Sequence, residues 1–139
     1  MRVRLFLAHA AEVQSDMLFA MGAGWTEIGP QPSPLAIAAI VEVPWDETNR
    51  QHTLEISIID EDGQPFLVPT PAGDQPVRFE ARFDVGRPPG VTAGRSFNVP
   101  VAINLQPLPF QAGRQYLVRA SINGQPRDEV TFFVRQQVT

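Results

Sequence analysis

The sequence contains no cysteine and no lysine, and both absences exclude chemistry. Without cysteine there is no disulfide framework, no thiolate zinc site and no cysteine nucleophile. Without lysine there is no Schiff-base mechanism, because that mechanism needs a primary amine side chain. The cationic side chains are arginines, and the only imidazoles are His9 and His52.

The sequence also lacks a basic stripe and a long apolar run. The net charge is −4 and the isoelectric point is about 5.1. Binding to nucleic acid or to anionic lipid draws much of its affinity from basic side chains, so neither partner is expected. No stretch approaches the roughly 20 apolar residues of a membrane span. The apolar stretch at the start of the sequence is interrupted by His9 and Glu12 and is too short for a signal peptide, so it predicts a first strand, and we expect a cytoplasmic protein.

The length of 139 residues predicts one domain over 1–139, because domains commonly have about 100–200 residues. Hydrophobic residues make up 43%, which is enough for a core. Fourteen prolines and ten glycines stand between apolar runs, where they indicate turns.

Alternation of apolar and polar residues predicts an all-β fold. From Val77 to Val85 every odd residue is apolar and every even residue is charged, which is the pattern of a strand with one wet face. Further alternating runs cover 53–58, 97–105 and 116–122. These patterns predict a two-sheet antiparallel β-sandwich of about eight strands, of the immunoglobulin-like kind.

Two strands depart from simple alternation. Leu35–Val43 is almost continuously apolar, which predicts a central strand that is covered on both sides or lies at an oligomer contact. Pro100 interrupts the run 97–105, and since proline cannot donate to a ladder, it predicts an edge strand or a bulge.

The remaining segments are assigned by turn residues and short apolar runs. Asn123-Gly124 predicts a tight hairpin. A strand is predicted over Met17–Trp25, with Gly22 and Gly24 inside it, and a closing strand over Val130–Val134. Residues 9–16 are predicted to form a short helical turn, and 63–76 and 86–96 long proline-rich loops.

The loop 45–52 gathers the most chemically varied side chains of the chain. Its candidate ligand-binding residues are Trp45, Asp46, Glu47, Asn49, Arg50 and His52. In a functional interpretation, carboxylates and His52 bind a divalent metal, or Trp45 stacks on a sugar that the polar groups hydrogen-bond. In a structural interpretation, Asp46 caps the loop, Arg50 pairs with Glu47, and Trp45 closes one end of the sandwich. Turns favour these residue types in any case, so the structural interpretation is preferred.

Other motifs carry little chemistry. Asp60-Glu61-Asp62-Gly63 resembles the start of a calcium loop but is followed by Gln64-Pro65-Phe66, so an acidic turn is expected and no metal site is assigned. Gly22 and Gly24 lack the third glycine and the helix of a dinucleotide fingerprint. No Gly-x-Ser-x-Gly elbow is present, and the nine phenylalanines are interpreted as core.

Two resemblances remain. Gly113 and Tyr116 resemble the strand entry of immunoglobulin-like domains, where a tyrosine bonds back to the preceding corner. The whole chain resembles a family of short, uncharacterised bacterial all-β proteins. The stretches that carry this resemblance are Gly24-Trp25, Val43 to Glu47 with Asn49 and His52, Asp60 to Gly63, and Val85 to Gly90. The resemblance implies the fold and brings no catalytic residues with it.

Three functions are weighed from these observations. The leading one is a non-catalytic cytosolic interaction or assembly module without a cofactor, which either self-associates as a homo-oligomer or serves as an accessory subunit for a protein partner. The alternative is a carbohydrate- or metal-binding module that uses the loop 45–52. An enzyme with an unfamiliar site around His9 or His52 is the least supported.

Overall fold

The computed structural model describes residues 1–137 and is all-β. It contains twelve strands and one 3₁₀ turn at Trp45–Glu47, and no α-helix within those residues. The strands are β1 (Arg2–Ala8), β2 (Ala10–Gln14), β3 (Met17–Met21), β4 (Glu27–Ile28), β5 (Leu35–Val43), β6 (His52–Asp60), β7 (Leu67–Thr70), β8 (Gly73–Pro76), β9 (Arg78–Phe83), β10 (Phe97–Leu105), β11 (Gln115–Ile122) and β12 (Gln125–Val134).

The strands form four sheets. One sheet has three strands in the order β1-β5-β10, and another has five in the order β4-β12-β11-β6-β9. Two further sheets are the hairpins β2-β3 and β7-β8. The predicted eight strands in two sheets were therefore too few. The predicted purely antiparallel pairing was also wrong at one place, because β4 pairs with β12 in parallel.

The main apolar core joins the two larger sheets. Both sheets contribute fully buried side chains, including Ile37 and Val41 from β5, Ile56 from β6 and Phe132 from β12. The sheets are also tied by a polar contact, since the Leu5 N–H donates to Asp128 Oδ2 at 2.8 Å. Burial of apolar area on this scale is the main driving force for such a fold.

Strand β5 is central in its sheet and is covered on both faces within the chain, as its apolar run predicts. The odd-numbered residues from Leu35 to Val43 belong to the main core. Ala36 and Ala38 face the other way, into a second apolar cluster with Ala8 and Ala11. An oligomer contact is therefore not needed to explain this strand.

Several local predictions are confirmed. Strand β9 lies inside the alternating run 77–85, and β10, which contains Pro100, is an edge strand. Asn123 and Gly124 have φ of 52° and 82° in the turn between β11 and β12, where both residues must be left-handed. The Tyr116 hydroxyl accepts a hydrogen bond from the Gln111 N–H at 2.9 Å, which fixes the corner before β11.

Other local predictions were wrong, mostly where hairpins are short. Residues 9–16 contain strand β2 instead of a helical turn, and β3 ends at Met21, before Gly22. The stretch 63–76 contains the hairpin β7-β8. Phe19 and Phe133 are exposed, so not all phenylalanines are core.

Candidate functional site

Trp45 is held by side chains of its own chain. The Arg87 guanidinium carbon lies 3.9 Å from the centroid of the indole and covers it, and Phe97 stacks beside the ring at 6.2 Å. Arg87 also donates to the Trp45 carbonyl at 2.6 Å and to Thr48 Oγ1 at 2.7 Å. A sugar would have to displace Arg87 to stack on that face, because a guanidinium over an indole is already a favourable contact.

His52 is buried, with 4% of its surface exposed, and both ring nitrogens have partners. Nε2 bonds to the Glu47 carbonyl oxygen at 2.8 Å, and Nδ1 to Asn123 Nδ2 at 3.0 Å. A carbonyl oxygen can only accept and an amide nitrogen can only donate, so these bonds fit the Nε2–H tautomer. His52 thus ties the loop to the β11-β12 turn, and neither nitrogen is free to bind a metal.

The charged side chains of this loop do not converge. Asp46 and Asn49 are exposed, and Arg50 donates to the Asp46 carbonyl at 3.1 Å instead of pairing with Glu47. Glu47 Oε2 lies 4.0 Å from the amino group of Met1. The predicted Arg50–Glu47 pair was therefore wrong, although a structural interpretation of Arg50 still holds.

Next to the loop lies an open depression of about 350 Å³ that Glu47, Arg50 and His52 share with Asn123 and Arg127. Trp45, Asp46 and Asn49 do not line it, so it unites only half of the predicted site. Among residues 1–137, no group of three or more His, Cys, Asp or Glu side chains could hold a metal ion. At the acidic turn, Asp60 Oδ1 accepts from the N–H groups of Asp62 and Gln64, so this oxygen serves the turn.

The outer face of the five-stranded sheet carries paired charges. Arg78 donates to Glu55 and Glu80, and Arg119 to Glu129, at 2.8 to 3.2 Å. The hydrogen bond that Arg78 donates to Glu55, together with the negative charge of Glu55, raises the pKa of Arg78 above its ordinary value. Such exposed ion pairs contribute little to stability and keep this face wet.

A different surface, the hairpin β2-β3, exposes large apolar side chains. The exposed fractions are 55% at Met17, 48% at Phe19 and 74% at Met21. Pairing in the hairpin places them on one face with Gln14, Glu12 and Ala10, which lie directly opposite. We call Met17, Phe19 and Met21 the apolar row. An open groove of about 550 Å³ runs beside it, lined by Phe19, Met21 and the alanines around them.

The opposite face of the hairpin is anchored to the rest of the chain. Ala11 is buried, and Leu18 packs on Ala36 and Ala38 of β5. Asn104 of β10 grips the outer edge of β2, because its Oδ1 accepts from the Ala11 N–H at 3.1 Å and its Nδ2 donates to the Ala11 carbonyl at 2.7 Å. The side chain of Asn104 thus makes the hydrogen bonds that a neighbouring strand would make to Ala11. Because the inner face of the hairpin is packed in this way, the apolar row faces solvent.

The base of the hairpin is closed by aromatic packing. His9 stacks on Trp25 with ring centroids 6.0 Å apart, and Trp25 meets the edge of Phe132 at 5.7 Å. A side chain at Gly22, which has φ of 64°, would collide with the His9 ring. Glycine is required there both by conformation and by space.

Sequence reasoning missed the apolar row. Met17, Phe19 and Met21 stand in a run of five apolar residues, which predicts a buried strand as readily as an exposed row. Only the packing of Ala11 and Leu18 against the rest of the chain shows which face of the hairpin points outward.

Comparison with known proteins identifies the family. Residues 4–135 match the family of unknown function DUF6941, and the chain belongs to that family. No curated protein and no solved structure matches the chain. Within residues 1–137, no helix has the length and apolar character needed to cross a membrane.

Proposed function

We propose that this member of the DUF6941 family is a non-catalytic assembly module that binds another protein chain through the apolar row of its β2-β3 hairpin. In this proposal the two larger sheets form an immunoglobulin-like sandwich that serves as a rigid support. The module acts in the cytosol, as a self-associating protein or as an accessory subunit.

The observation that carries the proposal is the exposure of three large apolar side chains in a row on an anchored hairpin. If a large side chain offers roughly 200 Å², the three together expose about 350 Å². Patches of about 300–600 Å² are often functional on a monomer, whereas scattered apolar residues are not informative. Leaving this area in water costs free energy that a bound partner would recover.

The ligand-binding alternative has less support. Arg87 covers the Trp45 ring, both nitrogens of His52 are engaged, and the carboxylates of Asp46 and Glu47 do not converge. We expect thermal unfolding to be unchanged by divalent cations and by a panel of sugars. A ligand at 100 times its Kd would stabilise the protein by about 2.7 kcal/mol, which a thermal shift detects.

A photoreactive amino acid at position 21 tests the assembly proposal. Met21 is the most exposed residue of the apolar row, and position 67 is a matched control, since Leu67 is 50% exposed on the hairpin β7-β8. In cells that express the protein, we expect irradiation to give adducts of discrete mass at position 21 and none at 67. Adducts should weaken when Phe19→Asp is added. The same pattern at both positions would contradict the proposal.

A further inference from the structure

We infer that the occupant of the hairpin surface is a second copy of this chain, which pairs edge to edge with strand β3 in a twofold antiparallel register centred on Phe19. This inference rests on the proposed function and names the partner. It follows from the state of the sheet edges, from the register that β3 permits, and from the placement of charge.

Strand β3 is the one edge in residues 1–137 that lacks a device against pairing. Natural sheets protect their edges with prolines, charges, bulges, shortness or a covering group. The other edges carry such devices: Arg2 and Arg4 on β1, Asn104 over β2, two residues only in β4, Pro69 in β7, Pro76 in β8, a row of charges on β9, and Pro100 in β10. Residues 17–21, Met-Leu-Phe-Ala-Met, contain no charge, no proline and no glycine. An unprotected edge of this kind is a template for pairing with another chain.

The backbone of β3 offers its free groups at two residues. The hairpin turn is Ser15-Asp16, so Gln14 and Met17 form its first hydrogen-bonded pair, and Met17, Phe19 and Met21 point their N–H and C=O groups toward β2. Leu18 and Ala20 then point theirs toward the free edge. These are the groups that a further strand would bind.

An antiparallel copy centred on Phe19 satisfies all of these groups at once. Leu18 then pairs with Ala20 of the second copy, and Ala20 with its Leu18, through reciprocal hydrogen bonds. Phe19 meets its own copy in the close, non-hydrogen-bonded position, and Met17 meets Met21 of the second copy. Aromatic and long apolar cross-strand pairs are among the more stabilising ones.

The charges of the hairpin are compatible with this pairing. The only charged side chain on the outer face is Glu12 of β2, and Asp16 lies in the turn. In the order β2-β3-β3-β2, two copies of Glu12 are separated by three strand spacings, about 14 Å. Charges beyond the Debye length of about 10 Å at 0.1 M salt are largely screened. In the alternative arrangement, the outer faces of two hairpins would pack against each other. That packing would place both Glu12 carboxylates in the apolar contact between the two faces.

The area indicates a weak dimer. Two apolar rows together expose roughly 700 Å², estimated from the size of large side chains, and edge-to-edge pairing buries only the part of this area where side chains of the two rows meet. Stable complexes bury about 1,200–2,000 Å² in total, and smaller contacts are transient. We therefore expect association in the micromolar range or weaker, and assembly that responds to local concentration.

Single cysteines test the register directly, because the chain has none of its own. We expect Phe19→Cys to form an intermolecular disulfide under mild oxidation, since Cβ atoms in directly opposed close pairs are about 4.5–5.5 Å apart. Leu67→Cys, on a comparably exposed site, should form it at least tenfold more slowly. Met21→Cys alone should be slow, and a mixture of Met17→Cys with Met21→Cys should give the mixed dimer.

Each outcome decides between the two claims. If Phe19→Cys oxidises no faster than Leu67→Cys while the photoreactive residue at 21 captures a different protein, the second copy is wrong and the assembly proposal stands. If neither experiment distinguishes position 19 or 21 from position 67, both fail. Circular dichroism of each variant verifies folding, which is expected because residues 19 and 67 are both exposed.

Discussion

At the residue scale, two consecutive residues of the β2-β3 turn adopt a conformation that normally requires glycine. Ser15 and Asp16 have φ of 51° and 59°. A two-residue hairpin turn of this type needs left-handed backbone at both positions, and Asn-Gly is the common choice. Because Ser-Asp is an uncommon turn pair, the sequence around it predicts a helical turn and not a hairpin, whereas Asn123-Gly124 predicts a hairpin directly. The predictability of each hairpin thus depended on its turn residues.

Replacing Asp16 with glycine should stabilise the protein. Left-handed backbone costs a residue with a Cβ about 1–2 kcal/mol, and glycine avoids most of it. Part of the gain is lost to the greater freedom of glycine in the unfolded chain, so we expect an increase of about 0.5–1 kcal/mol in the free energy of unfolding. Urea denaturation measures it. An equal substitution at exposed Asp84, which has no left-handed backbone, is the control and should not stabilise. A decrease at Asp16 would show that its side chain has a role that the backbone does not explain.

At the scale of elements, alternation and composition predicted the long strands well and the short hairpins poorly. Runs such as 77–85 and 97–105 carry enough alternating positions to define a strand and its inward face. The strands β2, β3, β7 and β8 have four or five residues, and their stability comes from docking on other elements. The side chain of Asn104, 93 residues away from Ala11, supplies the missing neighbour of β2. The pattern of residues around Ala11 cannot predict a contact with a residue so distant in the sequence.

Substitution of Asn104 should loosen the hairpin without unfolding the two larger sheets. Asn104→Ala removes two hydrogen bonds to Ala11, each worth about 0.5–1.5 kcal/mol. We expect amide exchange at Ala11 to accelerate about tenfold or more, while exchange in β5 and β11 changes little. Asn98→Ala is the matched control, since Asn98 is exposed on the same strand, six residues before Asn104. Equal exchange in the two variants would refute the anchoring role of Asn104.

At the scale of the whole molecule, the candidate site moved from a polar loop to an apolar hairpin. The loop 45–52 has the residue types of a binding site, but its Trp45 and His52 side chains are already engaged by residues of the same chain. Residue type alone does not show whether a polar group is already engaged. The apolar row, by contrast, consists of ordinary core residues, and only the tertiary structure shows that they face water.

Sedimentation equilibrium of the wild-type protein, compared with Ala20→Pro, tests the central claim most directly. Proline at 20 removes an N–H that faces the free edge, a position where proline is tolerated in strands, and it leaves the apolar row intact. We expect the wild type to shift from monomer to dimer as its concentration rises through the micromolar to millimolar range, and Ala20→Pro to remain monomeric with unchanged unfolding of the core. A wild type that stays monomeric throughout, or an Ala20→Pro variant that dimerises as well as the wild type, would contradict pairing through strand β3.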